Sequence, residues 1–317
     1  MPEAESFTPL RVAAAARIAE DIHRFDLVHP DGAELPAFTA GSHLKVRVPN
    51  GLVRRYSLCS DPNDVSGYSI AVKREAGGAG GSVSLCDGVQ AGDTLPCTAP
   101  HNDFPLRGRP TSHVFIAGGI GITPIMSMIQ ALEAEGGPAW KLYYLTRSPA
   151  HTAFREELRA YGSRIVTHHD GGHPDRAFDL WPVLEQPRGR HVHCCGPRGL
   201  MQAVRDMTGH WPGSAVHFED FGAGAVARPD DRAFRVRLAR SGTVVDVPAG
   251  MTMLEAIRSA GGTLPSSCET GTCGTCRTAL LAGTPEHRDL VLMEHEKAAF
   301  VMPCVSRAAS DELVLDL

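Results

Sequence analysis

The chain has 317 residues, 43% of them hydrophobic, and a formal net charge of −5. That length exceeds one ordinary core and predicts two or three domains, while the acidic balance argues against nucleic acid, which requires a basic face to neutralise phosphates. The opening "MPEAESFTPLRVAAAARIAED" carries acids and arginines through its apolar part, and no uncharged apolar run reaches the ~18 residues of a membrane span, so neither a signal peptide nor a membrane anchor is expected.

A cytoplasmic protein is therefore expected. In that reducing compartment an odd count of nine cysteines reads as thiols plus a metal site, not a disulfide framework.

Residues 1–107 read mostly as strands. "SHLKVRVPN", "RRYSLCS" and "GYSIAVKRE" are short, β-branched and alternating, with turn signals such as Asp61-Pro62-Asn63 between them. Short strands with frequent turns predict an antiparallel β-barrel. One helix is predicted to open at Gly81-Ser82, where three of the four residues from Gly78 to Gly81 are glycine. A helix start is a ready site for a phosphate, and Arg54 is able to pair with it. Tyr56 in its strand is placed to lay a ring against a flavin, with Ser57 bonding the flavin's polar edge. The plainer alternative for Tyr56 is a core residue on an alternating strand.

From residue 108 to 222 the rhythm changes. "SHVFIAGG" suits a buried parallel strand, and "TPIMSMIQALEAEG" has helical periodicity. "KLYYLTR", "RIVTHHD", "HVHCCGP" and "AVHFEDF" repeat the strand pattern, with "RGLMQAVRDM" as a helix among them. The alternation predicts an α/β domain with a parallel sheet. In "AGGIGITP", Gly118, Gly119 and Gly121 allow a tight turn and close backbone approach to a pyrophosphate, and Pro124 fits the first helical turn. "CCGPRGLM" supplies a second strand-turn-helix, so a dinucleotide can be held between the two turns. Cys195 reads equally well as a buried core thiol.

Residues 223–231 are small, Pro- and Gly-containing and apolar-poor, and read as a linker. Beyond them, 232–317 predicts a strand pair about Ser241-Gly242, then an amphipathic helix in "TMLEAIRSAG". The cysteines follow. Four residues separate Cys268 from Cys273, two separate Cys273 from Cys276, and Cys304 lies 27 residues beyond. C-x4-C-x2-C with a distant fourth cysteine is the plant-type spacing for a [2Fe–2S] cluster. Gly271, Thr272, Gly274 and Thr275 are small enough for backbone N–H groups to reach the sulfurs. Zinc is the rival, but zinc sites usually pair CxxC with a second close pair. The histidines at 168, 169, 191 and 193 show no ligand pattern and read as surface or core residues. Cys59, Cys86 and Cys97 read as core packing.

In this order, "RRYSLCS", "GGS", "GGIGITP", "CCGP", "FEDF" and "CETGTCGTC…C" resemble the phthalate dioxygenase reductase family over essentially the whole chain. The resemblance implies a β-barrel flavin domain, an α/β nicotinamide-binding domain and an α+β (β-grasp) ferredoxin domain. It implies FMN, NADH and one [2Fe–2S] cluster held by Cys268, Cys273, Cys276 and Cys304. Arg54, Tyr56 and Ser57 would bind the flavin, with Gly81 and Ser82 on its phosphate. Gly118, Gly119, Gly121 and Thr123 would face the nicotinamide nucleotide, and Cys195, Gly196 and Pro197 would sit beside the nicotinamide. Phe221 resembles the aromatic that covers the flavin ring. Asp170 in the adenosine site would disfavour NADPH, against Arg147, which could reach a 2′-phosphate. The implied partner is a terminal Rieske-type oxygenase acting on an aromatic ring, met transiently by a monomer. A cytochrome P450 partner and a redox-sensing role are the alternatives. One departure stands out: many relatives carry arginine before "GGS", where this chain has Ala79, which weakens the expected hold on FMN.

Overall fold

The structure, a computed structural model, describes residues 6–221 and 230–317. Most of the expected linker, up to residue 229, thus lies outside the described residues. The chain divides into two compact units, one running to Val204 and taking in Ala215–His217, the other formed by Arg205–Ser214 and Phe218–Leu317.

The first unit begins with six strands: β1 (Thr8–Ala19), β2 (Ile22–Val28), β3 (His43–Arg47), β4 (Val53–Ser57), β5 (Tyr68–Lys73) and β6 (Thr94–Cys97). Their order is β4-β3-β6-β1-β2-β5, antiparallel throughout. Just past β4, Leu58 bridges to Ile70 of β5 and Cys59 N–H donates to Ser69 O at 2.9 Å. The last strand in the order thereby meets the first, which closes the sheet into the expected barrel. Alternation turns Phe25, Leu27, Leu44, Val46 and Ile70 inward, each worth roughly 1.5–3 kcal/mol when fully buried. The helix α1 (Gly81–Gly88) opens where expected and plugs this core with Leu85, and the left-handed Gly80 (φ 82°) precedes it.

The same unit continues into a parallel sheet. Its strands are β7 (Ser112–Gly118), β8 (Ala139–Thr146), β9 (Ile165–His169), β10 (His191–Cys195) and β11 (Val216–Glu219), in the order β11-β10-β7-β8-β9. The long helix α2 (Ile122–Glu135) follows β7 and ends at the left-handed Gly136. The other crossovers are irregular, with only the short helices α3 (Arg155–Arg159) and α4 (Trp181–Leu184), before α5 (Arg198–Met207) restores the pattern. Ile125, Met128 and Ile129 of α2 share one apolar core with Phe115 and Leu142 of the sheet and with Ile22, Ala40, Cys59 and Ala71 of the barrel.

In the second unit β12 (Phe234–Leu238) and β13 (Val244–Val247) form the expected hairpin, with Gly242 in the left-handed region. The later strands are β14 (Thr278–Ala282), β15 (Pro285–Glu286), β16 (Phe300–Val301), β17 (Arg307–Ala308) and β18 (Glu312–Leu315). The main sheet runs β13-β12-β18-β14-β16, with β12 and β18 parallel. Across it lies α6 (Met253–Ser259), which buries Met253, Ala256 and Ile257 against Val236, Val247 and Leu313. Thr252 and Glu255 cap α6 reciprocally, satisfying two otherwise orphaned N–H groups.

Four histidines gather inside the parallel-sheet region. Alternation puts His191 and His193 on one face of β10, and the strand register brings His113 beside them. The ring of His193 lies 4.5 Å from that of His217 and 5.3 Å from that of His113. Burial holds His113 down to about 4, and burial together with His191 and Arg107 holds His217 down to about 4. Burial and the neighbouring His217, His113 and His191 hold His193 well below its ordinary value. These side chains stay neutral in the fold, whereas the unfolded chain takes up protons below about 6.5. Stability is therefore complete above pH 6.5 and falls as the pH drops towards 4, by roughly 1–2 kcal/mol per buried histidine by pH 5. Urea midpoints are expected to fall from pH 7 to pH 5, and His193→Phe should make that fall shallower. An equal fall in both proteins contradicts this account.

Candidate functional site

Arg54, Tyr56 and Ser57 lie along β4, with Arg54 next to the β3–β4 turn and against the start of α1. The Arg54 side chain lies over the start of α1, where a Cβ on Gly81 would stand 2.9 Å from its Nε and 3.0 Å from its Cγ. No side chain caps α1, so its first N–H groups are left for a ligand. Asn50, which sequence reasoning missed, braces this start. Its Nδ2 donates to Gly80 O at 3.3 Å, and its N–H donates to Ser84 Oγ at 3.0 Å. Only the turn character of "PNG" hinted at it. Ser82 Oγ accepts from Glu75 N–H at 3.0 Å.

Tyr56 and Ser57 face opposite ways, as neighbours on a strand must. The Tyr56 ring packs on the barrel core, yet its hydroxyl is buried with no hydrogen-bond partner. Burial raises that hydroxyl to about 12. An orphaned phenol beside a guanidinium and an uncapped helix start fits a bound phosphate ester or sugar chain. The residues present therefore suit a flavin nucleotide. Ser57 is buried and pairs in register with His43.

The two glycine turns of the parallel sheet meet directly. The sheet runs outward from β7 through β8 to β9 on one side and through β10 to β11 on the other. The gap between β7 and β10 is thus the switch point where such sheets bind ligands. A Cβ on Gly118 would stand 2.5 Å from Pro197 Cδ, and one on Gly121 would stand 2.1 Å from Cys195 O. Gly119 adopts φ +53° over open space. Thr123 is buried and its hydroxyl donates to Ile120 O at 3.1 Å. Cys195 is fully buried at the turn itself. Asp170 follows β9, and its Oδ1 accepts from Gly172 N–H at 2.7 Å. Gly171 N–H donates to Arg147 O at 2.9 Å, which sets Arg147 and Asp170 side by side. Phe221 is 42% exposed in the second unit.

In the second unit the loop after α6 gathers the cysteines. Thr270 N–H and Cys273 N–H each donate to Cys268 Sγ at 3.4 Å. The Cys268 thiol is held down by its neighbour Cys273 and the Cys276 thiol by Cys304. Among the described residues no three such side chains converge on one ion. Two thiol pairs with N–H groups on sulfur suit a two-iron cluster, with two thiolates per iron. Gly271 (φ +80°) is required there, since a Cβ would meet Val305 Cγ2 at 2.7 Å. Glu269 accepts from Arg258 at 2.8 Å and from Ser266 at 2.7 Å, which ties the loop to α6.

A barrel with a phosphate cradle, a dinucleotide switch point and a three-cysteine loop joined by a distant fourth cysteine together define an NADH-dependent flavin and iron-sulfur oxidoreductase. Family models agree: residues 9–105 match the oxidoreductase FAD-binding domain, 115–187 the oxidoreductase NAD-binding domain and 236–309 the 2Fe-2S iron-sulfur cluster binding domain. The chain is 52% identical to the phthalate 4,5-dioxygenase oxygenase reductase subunit of Pseudomonas putida, over 99% of this chain and 98% of that one. A solved phthalate dioxygenase reductase, described as a modular structure for electron transfer from pyridine nucleotides to [2Fe-2S], is 51% identical with a TM-score of 0.71, covering 98% of each chain. An intact type IV self-sufficient cytochrome P450 monooxygenase is 36% identical with a TM-score of 0.73, over 98% of this chain and 41% of that one. The chain belongs to the phthalate dioxygenase reductase family.

The cradle makes a quantitative expectation. With Ala79 in place of an arginine, Arg54 is the guanidinium beside the cradle. Losing a charge-assisted bond of about 1.5–3 kcal/mol means roughly ten- to a hundredfold weaker flavin binding. Arg54→Ala should shed its flavin on gel filtration, and Ala79→Arg should retain flavin at dilutions that strip the wild type. Fluorescence of released flavin measures both, and equal retention in all three proteins contradicts the assignment.

Proposed function

We propose that this chain is the reductase component of a two-component oxygenase system, carrying electrons from NADH through FMN and a [2Fe–2S] cluster to a terminal Rieske-type oxygenase acting on an aromatic ring. The observation that supports it most is the succession, in one chain, of a phosphate cradle, a dinucleotide switch point and paired thiols. When bound, the flavin supplies conversion between a two-electron hydride donor and a one-electron acceptor, chemistry that no side chain offers. The protein supplies position. Arg54 and the open N–H groups of α1 would hold the single phosphate of FMN, and the Tyr56 hydroxyl would bond the chain leading from it. Gly119, over open space, would admit the nucleotide against the turn that Gly118, Gly121, Gly196 and Pro197 pack together to form, with Thr123 and Cys195 on the side of the nicotinamide. Phe221, 42% exposed, is the aromatic residue that the family resemblance would assign to the flavin ring. Cys268, Cys273, Cys276 and Cys304 hold the cluster. Delivery to a Rieske centre runs downhill, because its potential of about −150 mV upward lies above the roughly −400 mV of a plant-type cluster. No helix among the described residues is long and apolar enough to cross a membrane. We read the protein as a cytoplasmic monomer.

The similarity to the self-sufficient P450 favours a second reading, in which a P450 haem is the acceptor. Mixing the NADH-reduced protein with a purified Rieske oxygenase, and separately with a P450, distinguishes them by the absorbance of each acceptor. Fast reduction of the Rieske centre is expected, and reduction of the haem alone overturns the first reading. Cys304→Ser should lose cluster absorbance and NADH-driven cytochrome c reduction while keeping its flavin. A variant that keeps the cluster overturns the ligand assignment.

Nucleotide choice rests on Asp170 against Arg147. The Asp170 carboxylate repels a 2′-phosphate, so kcat/KM should favour NADH, and Asp170→Ala should narrow that preference about tenfold, an effect of ~1.4 kcal/mol. A wild type that prefers NADPH would show Arg147 in control.

A further inference from the structure

Hydride transfer requires two rings, held by different parts of the first unit, to meet at a set separation. Reacting atoms must approach to about 3–3.5 Å, and a misplacement of about 1 Å costs on the order of a hundredfold in rate. The glycine turn at Gly118–Gly121 runs straight into α2, so the placing of α2 decides the placing of that turn. Apolar burial already holds α2 on the barrel. That attraction is non-directional, however, and does not by itself fix a helix against sliding.

Two polar side chains of α2 make directional contacts with the strand pair that carries Tyr56 and Ser57. Ser127, fully buried, accepts from Gly41 N–H at 3.1 Å and donates to Pro124 O at 2.9 Å. Gln130 lies one turn further along. Its Nε2 donates to Cys59 O at 2.9 Å and to Met126 O at 3.2 Å. Gly41 stands two residues before β3, and Cys59 stands two residues after the end of β4. The two anchor points are tied to each other, because Leu58 N–H donates to Ser42 O at 2.8 Å and His43 pairs with Ser57. Gly41 is suited to this close approach: at φ +89°, a Cβ would stand 2.1 Å from Phe104 O and 3.1 Å from Met128 Cε.

We propose that Ser127 and Gln130 are positioning residues for hydride transfer, clasping α2 to both strands of the β3–β4 pair and so setting how the nicotinamide meets the flavin without touching either. The proposal rests on the functional reading above, in which NADH gives up a hydride, becoming NAD+, and the flavin gains both electrons.

The test uses the full flavin-loaded chain as wild type, Gln130→Leu and Ser127→Ala, mixed rapidly with NADH. Flavin bleaching gives the hydride-transfer rate, and the long-wavelength charge-transfer absorbance reports stacking of the two rings. NADH affinity and flavin content are measured alongside. Gln130→Leu keeps the side-chain volume and removes the donor. Its transfer rate should fall about tenfold with a weaker charge-transfer band, while NADH affinity and flavin content stay within about twofold. Ser127→Ala should behave alike. Rates within about twofold of wild type in both variants, with the band unchanged, overturn the proposal. So does a slow rate that tracks loss of flavin or of NADH affinity, which marks a merely structural role. A wild type whose flavin NADH does not reduce overturns the functional reading itself, and the clasp with it.

Discussion

Backbone touches backbone where β7 and β10 end, and the rest of the first unit is arranged about that contact. A Cβ on Gly196 would stand 2.8 Å from Gly118 Cα, and one on Gly121 would stand 2.4 Å from Cys195 C. Real Cβ atoms do not come so close to backbone, so any side chain at these positions must push β10 off β7. The parallel register that pairs Cys195 with Ala117 would go with it. Glycine is thus required here for space as well as for turn geometry. The outcome is a bare peptide surface at a topological switch point, which is the feature a dinucleotide needs.

The two units hold themselves together differently. In the first, barrel and parallel sheet bury side chains into a common core, in which Ile22, Cys59 and Ala71 pack with Ile125, Met128 and Phe115. Two rings that must exchange a hydride are best served by such continuity, since close-packed interiors transmit position with little give. In the second unit a buried ion group does part of the fixing. Arg288, with its side chain 5% exposed, pairs with Asp231 at 2.5 Å and with Glu286 at 2.8 Å. Taking charges out of water is costly, and removing one partner of such a pair strands the other. The arrangement contributes a defined starting point. Asp231, two residues after the undescribed segment, is held against β15, and the ferredoxin fold proceeds from there.

Much of this was legible because glycine and cysteine signal by spacing. Alternation placed the barrel strands, the switch from period 2 to period 3.6 marked the parallel sheet, and Gly80-Gly81 located α1. What stayed hidden depends on pairing across the chain. "HVH" shows that His191 and His193 share a face, but only strand register and fold bring His113 and His217 to them. Ser127 and Gln130 read as ordinary members of an amphipathic helix, because the partners that give them a role are the main chains of Gly41 and Cys59. Those partners lie 86 and 71 residues away. The Tyr56 side chain is a similar case. Its ring packs on the barrel core, as the plainer reading expected, while its hydroxyl is left without a partner.

The cysteine loop adds a last constraint, on how electrons leave. Cys268, Cys276 and Cys304 are 4%, 2% and 1% exposed, whereas Cys273 is only partly covered. Of the small residues around it, Thr275 places its hydroxyl 3.2 Å from the Cys273 sulfur. The tie from Arg258 through Glu269 holds the loop in place. Acid and base are nearly balanced along 232–317, so the net charge of this segment adds little long-range attraction for a partner. A cluster that passes one electron at a time needs two deliveries for each NADH consumed. Tight docking would therefore slow the cycle at the second delivery unless the acceptor took both electrons in one visit.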